Sequence, residues 1–147
     1  MALTNRFKIT MLDVFPHGAY LVSEVEPVRD FDKSRPGAPV QATDKESGLP
    51  VWAAVVLDGD PEARKEAKTV TVKIAAEYRP VPPEAPLGMP FRPVEFDGLT
   101  VTPYVDDKRG RVAYSYRATG MRAPSPAARH APRPAGSVGA PSPGEAA

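Results

Sequence analysis

Apolar side chains in this chain recur at every second position far more often than at helical spacing, which predicts strands. In residues 6–15, RFKITMLDVF, the residues Phe7, Ile9, Met11 and Phe15 share one face of an expected strand. A Pro16-His17-Gly18 break follows, then a second run over 19–28 in which Leu21, Ser23 and Val25 oppose Tyr20, Val22 and Glu24. Residues 29–39 are charged and punctuated by Pro36, Gly37 and Pro39, the signature of a loop. Segments 40–43 and 50–58 flank Asp44-Lys45-Glu46-Ser47-Gly48, a hairpin turn with Gly48 placed for a left-handed backbone. Residues 58–61, DGDP, signal another turn, and 62–67 have room for one helical turn. The clearest alternation is TVTVKIAAEY at 69–78, with Val70, Val72, Ile74 and Ala76 inward. Six prolines in 79–93 forbid a helix or central strand there and predict an extended crossing. Segments 94–105 and 111–121 then pair around Asp106-Asp107-Lys108-Arg109-Gly110.

Five or six strands with at most one short helix predict an all-β domain over residues 1–122. The architecture that fits best is a small antiparallel five- or six-stranded OB-like barrel: a three-stranded meander, a capping connection and a terminal hairpin. The proline-rich 79–93 crossing takes the place of the usual capping helix. An SH3-like barrel and a small sandwich are the competing solutions. Residues 123–147 are built almost wholly of Ala, Pro, Gly and Ser, with Val138 their one sizeable apolar side chain. They cannot bury enough surface to offset their ordering entropy, and a disordered Ala/Pro-rich tail is expected.

Composition narrows the function classes. The net charge is +1, and that excess lies in the tail, so the 1–122 body is neutral and lacks a phosphate-coating surface all round. A local basic stripe is still compatible with it. With no cysteine and only His17 and His130, thiolate zinc sites, disulfides and Cys nucleophiles are excluded, and no metal or cofactor is expected. Catalysis lacks its usual parts. No Gly-x-Ser-x-Gly, Gly-rich phosphate loop or His-Glu-x-x-His occurs, and His17 sits in a turn. Asp58, Asp60, Asp106 and Asp107 are cheaply explained as turn residues, so the chain is read as a non-enzyme. No apolar run approaches the length of a signal peptide core or a bilayer span, which predicts a cytoplasmic protein with no membrane contact.

Binding has more support. A strand face that tracks nucleic acid needs aromatic rings for bases and Arg or Lys for phosphates. Trp52, Tyr104, Tyr114 and Tyr116 lie on expected strands, and Lys73, Arg79, Arg92, Arg111 and Arg117 lie on or beside them. Alternation puts Lys73, Arg111 and Arg117 on the outer face, while Tyr114 and Tyr116 follow the inward parity of Val112. Trp52, between apolar neighbours, fits either face. Lys108, Arg109 and Arg111 form the densest basic cluster of the body. The candidate nucleic-acid-binding set is Trp52, Lys73, Arg79, Arg92, Tyr104, Lys108, Arg109, Arg111 and Arg117.

Several runs carry a family likeness: VEPVRDFDKS at 25–34, DKESGLPVW at 44–52, PFRPVEF at 90–96, GLTVTPYV at 98–105 and AYSYRATG at 113–120. Over about residues 6–122 the chain resembles the plasmid replication, integration and excision activators of integrative conjugative elements in Streptomyces and related actinobacteria. The Arg-over-Lys bias and abundant Ala and Pro suit such a high-GC source. The resemblance implies an activator or DNA-associated helper of a mobile element's replication, integration and excision. DNA, single- or double-stranded, is the implied partner, and element-encoded replication or recombination proteins are a second class. The chain has no convincing amphipathic helix for a major groove. Contact through strands or loops, binding to exposed single strands, and action as a protein-interaction adaptor therefore all stay open.

Overall fold

The computed structural model describes residues 5–125. The expectation of a disordered tail falls, from residue 126 onward, outside the described residues. Nine strands lie within them: β1 (Phe7–Lys8), β2 (Ala19–Leu21), β3 (Glu26–Pro27), β4 (Val51–Asp58), β5 (Thr69–Ala75), β6 (Arg92–Asp97), β7 (Thr100–Asp106), β8 (Arg111–Ala118) and β9 (Gly120–Arg122). One helical turn, α1 (Met11–Val14), and a 3-10 turn at Lys65–Ala67 complete the regular structure. The strands pair in the order β1-β7-β8-β5-β4-β2-β6-β9, with β3 added to β4. All contacts are antiparallel except β5 on β8, where Val72, Lys73 and Ile74 run parallel to Tyr116, Arg117 and Ala118.

The all-β expectation holds, but the architecture needs correction. The sheet is curled and mixed, with nine strands, instead of a five- or six-stranded antiparallel OB-like barrel. Two bends raise the count. Asp106 faces Arg111, Thr100 faces Arg117, Asp97 faces Gly120 and Glu95 faces Arg122 in one unbroken register. Thus β6 with β7, and β8 with β9, are the two arms of one long hairpin. Its first arm bends at Gly98, whose φ of 59° is left-handed and whose added Cβ would lie 2.5 Å from Thr119 Oγ1. Only glycine meets both conditions without strain.

The first run departs from its alternation. Only Phe7 and Lys8 pair as strand, with Val101 and Thr100. Thr10 then caps α1: its hydroxyl accepts the Asp13 N–H at 3.2 Å, and the Asp13 carboxylate accepts the Thr10 N–H at 2.8 Å. This capping box overrides the period-two pattern. The 19–28 run also breaks after Leu21, leaving Ser23 exposed before Val25 returns to the core.

The core confirms the strongest alternation. Val72 and Ile74 of β5 are fully buried, beside Ala54 and Val56 of β4, Ala118 of β8, and Val94 and Phe96 of β6. Burying each of the larger side chains stabilises the fold by about 1.5–3 kcal/mol. Strand β4 is apolar almost throughout, with its outward residues Ala53, Val55 and Leu57 part-buried. Ala54 and Val56 face the core, Val51 is buried, and the 28–42 arm pairs with the edge of β4 there, through Val28 N–H on Val51 O and Val51 N–H on Ala42 O. The expected turns form where the glycines allow them: Gly48 N–H closes on Asp44 O, and Gly110 N–H on Asp106 O. Residues 76–91 cross without regular structure, as their prolines require.

Candidate nucleic-acid interface

Register decides which candidate residues share a surface. On β5 the core residues Val72 and Ile74 flank Lys73, so Lys73 faces outward. Its parallel partner Arg117 faces the same way. Along the hairpin, Thr100 pairs with Arg117, Thr102 with Ser115, Tyr104 with Ala113 and Asp106 with Arg111. Lys73, Arg117, Arg111 and Tyr104 therefore lie on one outer face, with small polar or apolar residues between them. From Arg111 to Arg117 the row runs about 20 Å. Lys8, opposite Thr100 by register, extends it.

At the hairpin tip the row opens into a cleft of about 310 Å³, lined by Arg64, Glu66, Ala67, Asp106, Arg109 and Arg111, with Val112 and Ala113 behind. The cleft exists because β5 and β8 pair only through Tyr116–Ala118 and diverge below, so the segment before β5 stands off the β8 edge. Arg109 lies 3.8 Å from Asp106 across the turn, and Lys108 N–H donates to Asp106 Oδ1 at 3.1 Å. Tyr104 is about half exposed, as are Val112 and Tyr114 on the opposite side of the hairpin. Arg64 was hidden from sequence reasoning, since in EARKEAK it reads only as part of a helical turn.

Three candidates stand elsewhere. Trp52 pairs with Ile74, which puts it on the core side of the sheet. Its indole N–H donates to Ala76 O at 3.0 Å, and the Arg79 guanidinium lies 5.5 Å from the ring centroid, over the ring. Arg79 thus occupies a ring face on which a base would stack. Arg92 opens β6 opposite Leu21 and is separated from β5 by β2 and β4 in the sheet order. The nine candidates do not form one surface. Lys73, Tyr104, Arg111 and Arg117 do, Lys108 and Arg109 border it, and Trp52, Arg79 and Arg92 lie away from it.

Arg117 is not a free cation. It makes an ion pair with Asp44, which is almost fully buried in the 43–50 turn. Burial pushes the Asp44 carboxyl up, but it accepts the Ser47 hydroxyl at 2.8 Å and the Ser47 N–H at 3.1 Å. Those bonds and the charge of Arg117 outweigh burial and hold its pKa below the ordinary carboxylate value. Burial raises the pKa of the Tyr116 phenol, with Tyr114 and Asp58 adding to the shift. At the far end of the hairpin Arg122 bonds the largely buried Glu95 and, at 2.7 Å, Asp97, clasping β9 to β6.

Among the described residues no group of three or more His, Asp or Glu side chains could hold a metal ion, and no helix is long and apolar enough to cross a membrane. Comparison with protein-family models, with curated proteins and with solved structures finds no match to this chain.

Proposed function

We propose that this chain is a nucleic-acid-binding accessory protein that takes single strands along the outer face of β5, β8 and β7. The observation that carries the reading is the register that gathers Lys73, Arg117, Arg111 and Tyr104 on one face ending in a cleft lined by Arg64, Arg109 and Arg111 together with Glu66 and Asp106. Cations at intervals with an exposed ring among small side chains are what a backbone track with base stacking requires. A row of about 20 Å suits the short end of the 4–16 nucleotides that such folds cover.

In keeping with the family resemblance, the biological role we assign is help in a mobile element's replication, integration and excision, in the cytoplasm.

The test is fluorescence anisotropy with labelled single- and double-stranded oligonucleotides over a salt series. The expected result is tighter binding to single strands, weakening as salt rises with a slope of about −0.7 per phosphate contact. Absence of binding to either at low salt rejects the reading. A protein-interaction adaptor is the second reading, favoured by Tyr78, Val81 and Leu87 standing exposed along the proline-rich crossing. Capture of replication or recombination proteins that survives nuclease treatment, with no oligonucleotide binding, would select it.

A further inference from the structure

The 43–50 turn takes an unusual course over the outer face. It leaves the sheet beside the start of β4, where Thr43 bridges Pro50 and Pro50 O accepts the Ala76 N–H. Its Asp44 carboxylate passes beyond β5 to reach Arg117 on β8. Its Glu46 reaches farther, to Arg6, at 2.8 Å, next to β1 at the edge of β7. One short turn is thereby tied across three strands, and it lies over the Arg117 end of the row described above. The remainder of the row, from Ser115 to Arg111, carries no such cover in the contacts of the turn.

The two ties differ in kind. Asp44 is fixed from both sides, by Ser47 within the turn and by Arg117 outside it. Its Oδ1 meets the partly buried Arg117 guanidinium while Oδ2 is taken by Ser47, a single charge-assisted bond of the kind arginine also makes to a phosphate oxygen. The Arg6–Glu46 pair is exposed on the glutamate side, so it is weak and sensitive to salt.

We propose that the 43–50 turn is a strap that closes one end of the nucleic-acid track, with the Asp44 carboxylate holding on Arg117 the place a backbone phosphate takes when the strap opens. The strap regulates the site assigned under the proposed function and rests on that reading. Binding a strand long enough to reach Arg117 exchanges one anion for another on the same guanidinium, and Glu46 leaves Arg6 as the turn lifts. A strand confined to the open part of the row engages Arg111 and the cleft alone. The full track therefore binds less tightly than its cations allow, by the free energy that holds the strap down.

The experiment compares wild type, Asp44→Asn and Glu46→Gln for anisotropy of a fluorescein-labelled fifteen-nucleotide oligothymidylate, with circular dichroism as the check of folding. Asp44→Asn is expected to bind about three- to tenfold tighter, because Arg117 becomes available to phosphate. Its salt slope is expected to steepen by about 0.7, one added single-strand contact. Glu46→Gln, which alters only an exposed carboxylate, is expected to gain about twofold, and it decides the matter alone if Asp44→Asn does not fold. Wild-type binding with no gain in a folded Asp44→Asn or in Glu46→Gln overturns the strap and leaves the track standing. Absence of binding in all three proteins overturns the track and the strap together.

Discussion

Truncating Ile74 tests the packing that positions the proposed interface. Ile74 is fully buried on β5, between its register partners Trp52 on β4 and Ala118 on β8. Both neighbouring strands are fixed by backbone ladders, and small residues at Ala54 and Ala118 leave little that could move in to fill a void. Ile74→Ala should therefore fall in the middle of the usual range for such a change, about 3–4 kcal/mol, while Ile74→Val costs about 1 kcal/mol. Val112→Ala, at a position more than half exposed on the hairpin, should cost under about 0.5 kcal/mol. Urea unfolding followed by circular dichroism reads all three from the shift in midpoint at constant slope. An Ile74→Ala cost below about 1 kcal/mol, or a Val112→Ala cost matching it, would refute the claim that β5 is the centre of the core and that Lys73 therefore faces out.

Further expectations concern single positions. Gly98→Ala should destabilise by about 1–3 kcal/mol in the same urea assay, since it combines a left-handed φ with a clash on Thr119, whereas Gly110→Ala, left-handed but unobstructed, should cost about 1 kcal/mol. Asp44 has a folded pKa below its unfolded one, so its contribution to stability is present above about pH 4 and is lost as pH falls through the folded value; Asp44→Asn should flatten that part of an acid-unfolding profile. Tyr116 has a raised folded pKa, so folding is opposed only above the ordinary tyrosine value near pH 10, and a spectrophotometric titration should show one late tyrosine that Tyr116→Phe removes. Trp52, the one tryptophan of the chain, lies on the core side of the sheet. Saturating oligothymidylate should leave its emission unchanged, and a strong quench would place bound bases on the wrong surface.

The fold was legible where one physical signal acted alone. Alternation at 69–78 gave β5 with its inward and outward residues, because a strand buried on one face and paired on both sides obeys period two. The turns at 44–48 and 106–110 were legible because acidic residues ending in glycine have few other uses. Where signals competed, the local one won: the Thr10 and Asp13 capping box turned half of an expected strand into α1. The curled and mixed character of the sheet was not legible. Neither the parallel contact of β5 with β8 nor the bends at Gly98 and Thr119 leaves a mark in periodicity, since both depend on partners far away in sequence. The same limit governs the site. Parity identified Lys73, Arg111 and Arg117 as outward, but only the register could put the candidate Tyr104 on their face, add Lys8, bring Arg64 to the hairpin tip, and send Trp52 to the opposite face. The ion pair between Asp44 and Arg117 joins residues too distant in sequence for spacing to reveal.

The most direct measurement is a backbone NMR titration of the protein with the fifteen-nucleotide oligothymidylate at low salt. Shift changes are predicted at Lys73, Tyr104, Arg111, Ala113, Ser115 and Arg117, with the amides near Arg92 unmoved. Shift changes that cluster around Trp52 and Arg92 while the β8 amides stay in place would contradict the account.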